Sequence, residues 1–222
     1  MTVQLQAKQA RGSVPIQLTT AELWRDQARA LPPETRRWLA AIEFTGKAHS
    51  HALVPGADGA LREVWAGVRD AADPWLLAAL PKALPLGHYH LGDAGLQADA
   101  AAAALSWELG AYAFDLYKPR QREAAQLSLP LTEGSRRALV LAAATAATRD
   151  LVNTPAEHMG PAELAEAVRM VGRQQGAKVR EIVGDKLLAQ GFPAVHAVGR
   201  AAARAPRLVA PNARSSTVSA TW

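Results

Sequence analysis

The amino-acid sequence predicts an α/β protein, on three observations. Strand and helix signals alternate from Val14 to Leu131; a long alanine- and leucine-rich helix follows a polar break at Thr132-Glu-Gly-Ser135; a strand–helix–strand pattern then runs from Val179 to Val198. The expected architecture is an N-terminal mixed sheet flanked by helices, a long linking helix, and an incomplete β-α-β start of a second domain. At 222 residues, 49% of them hydrophobic, the chain can bury a sizeable core. The domain bounds read as 1–134 for the N-terminal domain, 135–155 for the linking helix, 156–209 for the second domain and 210–222 for a tail of different composition.

The elements follow in order. Val14-Pro-Ile-Gln-Leu18 reads as a strand; Thr19 and Thr20 are N-cap candidates with Glu22 in the first turn, for a helix running to about Ala30. Pro32-Pro33 stops that helix and seeds a second over Glu34 to Ala41, with Trp38 and Leu39 facing inward. His51 to Val54 and Leu61 to Val68 form a hairpin around Pro55-Gly-Ala-Asp-Gly59. Asp73-Pro74 opens a helix, and Leu84 to Leu91 is a strand entered through Pro85-Leu-Gly87. Between Gln97 and Asp115, Ala100, Ala104, Trp107, Ala111 and Phe114 recur at helical spacing. A charged loop from Lys118 to Gln126 leads to a strand at Leu127 to Leu131.

The linking helix spans about Arg136 to Val152. Gly160-Pro161 opens the next helix, with Leu164, Val168 and Val171 on one face, and Gly176 closes it. Val179 to Val183 is a strand, Asp185 caps a short helix, and Ala194 to Val198 is a second strand ending at Gly199. Trp24, Trp38, Trp65, Trp75 and Trp107 are spaced as packing residues of separate elements.

Composition narrows the function. The formal charge is +5, but five of the 25 basic residues (Lys186, Arg200, Arg204, Arg207 and Arg214) follow Asp185, the last of the 20 acidic ones. The excess is a property of the C-terminal end rather than of a folded patch, which disfavours nucleic acid as a partner. The first twelve residues lack the apolar run of a secretory signal, and no stretch has the roughly 18 to 20 apolar residues that cross a bilayer. With no cysteine, disulfides and thiolate chemistry are excluded, and a cytoplasmic location without membrane association is expected.

Two His-x-His pairs, His49/His51 and His88/His90, would each share a strand face and could reach one metal. No Glu or Asp sits within two residues of either pair to complete a set, so they read as surface polar positions. A four-histidine site would require their strands to be neighbours. His158, near a helix start, and His196, mid-strand, read as capping or core histidines. Dinucleotide and phosphate loops, the Gly-x-Ser-x-Gly elbow and the His-Glu-x-x-His helix are all absent.

Residues 149 to 164 read RDLVNTPAEHMGPAEL. With Phe192-Pro-Ala-Val-His-Ala-Val-Gly-Arg200 and Ala205-Pro-Arg-Leu-Val209, this stretch resembles the leucyl aminopeptidase, or cytosol aminopeptidase, family. The likeness extends back through Leu80 to Leu91 and Leu105 to Lys118 and covers most of residues 14 to 209. It implies a two-domain, usually hexameric exopeptidase that uses two divalent metals, zinc or manganese, to remove N-terminal residues from peptides. Such a metal pair polarises the scissile carbonyl and lowers the pKa of a bridging water, and it needs several carboxylates to hold it. In the family these lie downstream of the position matched by Leu208, in Val-Gly-Lys-Gly, Phe-Asp-Thr-Gly-Gly and Asn-Thr-Asp-Ala-Glu-Gly-Arg stretches.

Here the likeness ends after Val209, and five of the seven residues from Ser215 to Thr221 carry hydroxyls. The break reads as a shifted frame or premature end, with a natural short paralogue as the alternative. No catalytic, cofactor-binding or metal residue of the family can be assigned to this chain, which is expected to be inactive alone. Self-association, or a full-length peptidase subunit as partner, is expected, with peptides as substrates of the full-length relatives only. The alternative is a non-enzymatic binding or assembly module.

Overall fold

The computed structural model describes residues 1–6 and 12–212, and the chain divides within one long helix into two units, Met1–Arg149 and Asp150–Trp222. In the first unit β1 (Val3–Gln6), β2 (Val14–Thr19), α1 (Ala21–Ala30), α2 (Pro33–Ala41), β3 (His51–Pro55), β4 (Leu61–Gly67), α3 (Leu80–Ala83), β5 (His88–Leu91), α4 (Ala100–Ala111) and β6 (Gln126–Pro130) lead into α5 (Glu133–Asn153). The six strands form one sheet in the order β1-β6-β5-β2-β4-β3. Neighbours are parallel except for the β3–β4 hairpin, so the sheet is mixed, as the sequence predicts.

Strand alternation assigns the two faces. Ile16 and Leu18 of β2, Val64 and Ala66 of β4, Tyr89 of β5 and Leu127 and Leu129 of β6 meet Ala103, Ala104 and Trp107 of α4 and Ala138 of α5 in the main core. On the other face Trp65 of β4 and Ala52 and Val54 of β3 pack under Leu39, Phe44 and Trp24. Burial of this apolar surface, worth roughly 25 cal/mol per Å2, is the main force holding the helices to the sheet.

Local chemistry sets the helix starts. The Thr20 hydroxyl accepts the Leu23 N–H at 3.2 Å, and Asp99 accepts those of Ala101 and Ala102 at 2.9 and 3.0 Å. Thr132 and Ser135 bond reciprocally, backbone N–H to side-chain oxygen, at 2.9 and 3.0 Å, and fix the start of α5. Gly110 lets α4 lie against the segment before α3, since a Cβ there would stand 1.9 Å from the Ala78 carbonyl oxygen.

Several expectations for this unit are corrected. Asp73-Pro74 opens a run of turns rather than a helix, with Leu76, Ala78 and Leu80 donating to carbonyls three residues back; regular helix is confined to α3. The strand expected from Leu84 begins only at His88, past Pro85 and Gly87. Trp38 is not turned inward: it is 43% exposed, and its indole N–H donates to the Leu53 carbonyl at 2.8 Å, whereas Leu39 is fully buried. Trp75 is likewise 46% exposed and is not a core residue.

The second unit contains α6 (Pro161–Gln174), β7 (Lys178–Val183), α7 (Lys186–Ala189), α8 (Pro193–Gly199) and β8 (Arg207–Asn212). The stretch from Ala194 to Val198, expected as a strand, is helix α8. Pro193 occupies its first turn, where a missing N–H costs nothing, and the run Ala-Val-His-Ala-Val has no period to separate strand from helix. The strand that pairs with β7 is β8, antiparallel, from Lys178 opposite Asn212 to Val183 opposite Arg207. The described arrangement is therefore β-α-α-β with an antiparallel pair. On α6 the buried positions are Ala165 and Gly172, while Leu164 and Val171 are about half exposed.

Candidate functional site

The histidine pairs are not brought together. His49 precedes β3 in a left-handed turn with φ of 66°, and His51 is the exposed first residue of β3. His88 and His90 lie on β5, and β2 and β4 stand between β5 and β3 in the sheet. A shared four-histidine site is ruled out by that order. His196 is on α8 rather than mid-strand, and its Nε2 faces Asp185 Oδ1 at 3.1 Å. His158 lies outside regular structure, in the turn after Pro155, to whose carbonyl its N–H donates at 2.8 Å.

In the second unit three of the six carboxylates, Glu163, Glu166 and Glu181, are engaged by arginines. Glu181 on β7 takes Arg207 of β8 at 2.6 Å on one oxygen and Arg169 of α6 on the other. Glu166 accepts from Arg173 and Arg169 at 2.7 and 2.8 Å. Glu163 accepts the Gly160 N–H at 3.0 Å, closing the start of α6, and pairs with Arg204. Hydrogen bonds from Arg207 to Glu181 and from Arg173 to Glu166, and the backbone N–H of Glu163 itself, hold the three acids below the ordinary glutamate range. Carboxylates neutralised in this way join α6, β7 and β8, and they do not present the clustered free oxygens that a divalent metal pair requires. Among the described residues no three histidine, aspartate or glutamate side chains gather as a metal donor set.

In the first unit a cavity of about 260 Å3 opens at the carboxyl ends of β1, β6 and β5. Of the residues singled out in the sequence only His90 lies there; Gln6, Asp93, Gln97 and Ser128 were missed. The legible signal was the pair Gly92 and Gly95 directly after a strand, which marks a loop drawn close to its neighbour.

Residues 14–130 match the family model of the M17 aminopeptidase N-terminal domain, and residues 146–217 match that of the cytosol aminopeptidase family catalytic domain. The chain belongs to the M17 aminopeptidase family. The second match runs past Val209 to residue 217, beyond the point where the sequence reading ended the likeness.

A probable cytosol aminopeptidase of Rhodococcus jostii is 35% identical over 127 residues, covering 50% of this chain and 25% of that protein. One from Nocardia farcinica is 36% identical over 124 residues with the same coverage. The solved cytosol aminopeptidase of Coxiella burnetii superimposes with a TM-score of 0.83 at 35% identity, covering 94% of this chain and 45% of that one. The bottromycin maturation enzyme, solved in complex with Mn, gives 0.66 at 26% identity, covering 90% and 44%. The chain thus spans a quarter to a half of the length of these relatives.

Proposed function

We propose that this chain supplies the N-terminal domain and the opening of the catalytic domain of a cytoplasmic metal-dependent aminopeptidase, and that alone it releases no amino acids. The observation that carries this reading is the double family match, over 14–130 and 146–217, together with a second unit in which Glu163, Glu166 and Glu181 are tied to arginines. In the family reaction two divalent cations, zinc or manganese, activate a water and polarise the scissile carbonyl. The donor set of this chain does not fit such a pair, so no step of the reaction is assigned to its residues.

The test is to assay purified chain for release of leucine from leucyl p-nitroanilide with added Mn2+ or Zn2+, alongside elemental analysis. Turnover at background and no stoichiometric metal are expected. Activity that is lost on chelation would overturn the reading.

A second reading, an assembly module for a longer peptidase subunit or a second copy, is favoured by the exposed apolar residues of the second unit. Val198 is 84% exposed, Val171 54% and Leu164 50%. Co-purification with an M17 subunit, abolished by Val198→Asp, is the result expected on that reading.

A further inference from the structure

Open parallel sheets take ligands outside the carboxyl ends of their strands, at the point where successive connections turn opposite ways. Here that point is between β2, whose connection leads towards β4, and β5, whose connection leads to β6. The crevice itself is filled. Gly92 and Leu96 donate to the Ile16 and Leu18 carbonyls at 2.8 and 2.7 Å, and Ala94 donates to the Gln17 side chain at 3.0 Å. A Cβ on Gly95 would stand 2.2 Å from the Leu18 carbonyl oxygen. The loop after β5 is therefore pinned to β2, and the open space lies on its other side, as the cavity over the ends of β1, β6 and β5.

The lining chemistry selects the ligand. His90 and Ser128 are register neighbours on β5 and β6, and Asp93 stands on the pinned loop. Ser13 engages His90 Nδ1 at 2.8 Å, which leaves the ring's other nitrogen for a ligand. Burial lowers the His90 pKa, opposed by Asp93, and favours the neutral ring as an acceptor. Among the described residues no lysine or arginine lines the cavity, and the Asp99 side chain already takes the Ala101 and Ala102 N–H groups at the nearby start of α4, which disfavours an anion there. Leu91, Leu129 and Pro130 give an apolar wall.

We infer that this cavity binds a small aliphatic primary amine, with its ammonium group donating to Asp93, His90 and Ser128 and its stem against Leu91, Leu129 and Pro130. Three acceptors match the three hydrogens of an ammonium group, and Asp93 supplies the opposite charge. The inference is independent of peptidase activity.

Isopentylamine and isovalerate, which share a stem and differ in head-group charge, are the probes, titrated into the full chain at neutral pH and followed by NMR. Saturable isopentylamine binding with shifts at His90 and Ser128, and none for isovalerate, is expected. Asp93→Asn, at an exposed position, should weaken the amine about tenfold or more, as for loss of a charged hydrogen-bond partner. Glu34→Gln, remote from the cavity, should leave binding unchanged. Absence of saturable binding, equal binding by Asp93→Asn, or preference for isovalerate would each overturn the proposal.

Discussion

Glu108 on α4 accepts the backbone N–H groups of Thr2 and Val3 at 2.5 and 2.6 Å, through one carboxylate oxygen. These bonds hold β1, a four-residue strand at the edge of the described sheet, against its neighbour β6. Glu108→Ala should cost about 1–3 kcal/mol and expose the Val3 amide to hydrogen exchange; unchanged protection would contradict it. Gly110→Ala should also destabilise the first unit, by about 1–3 kcal/mol, because the new Cβ meets the Ala78 carbonyl and the backbone must shift. Glu181 carries a pH dependence. Its folded pKa is depressed, chiefly by Arg207, so as pH falls the unfolded chain takes up the proton first. Its stabilising contribution is complete above the ordinary glutamate value of about 4.3 and is lost as pH falls towards the lower folded value. Glu181→Gln should flatten the acid limb of the second unit's unfolding, followed by circular dichroism over a pH series. None of these residues was legible in the sequence, because each acts through a partner far along the chain.

At the scale of elements, what was legible depended on local chemistry. The β3–β4 hairpin is announced by Pro55-Gly-Ala-Asp-Gly59 and α1 by Thr20, and the structure has them there; α5 begins at Glu133, inside the stretch Thr132 to Ser135 that reads as a break before Arg136. Residues 194–198 were misassigned because a short apolar run carries no period, and the proline before it was the better guide. Leu187 of α7 is fully buried in the second unit. Leu187→Ala should therefore cost about 2–5 kcal/mol, read as an earlier unfolding of residues 150–212 with residues 12–149 unaffected. A uniform shift of both units would contradict this.

At the scale of the molecule, the first unit covers its sheet with two buried clusters, whereas the second keeps much of its apolar surface in water. Val152 and Val198 are 78% and 84% exposed, and Leu164 and Val171 add to them. The whole chain should therefore self-associate, and Val198→Asp together with Leu164→Ser should shift it towards monomer in size exclusion with light scattering. A monodisperse wild-type monomer would count against this.

The sequence by itself determined the α/β class, most helix and strand positions of the first unit and the family, since propensity, turn residues and motifs are written in neighbouring residues. Only the tertiary structure decided the strand order that separates the two histidine pairs, the arginine partners of Glu163, Glu166 and Glu181, and the cavity that gathers Asp93, His90 and Ser128. The physical reason is common to all three. Contacts between residues distant in the chain are chosen by which apolar faces bury together, and the polar groups meet where that packing leaves them.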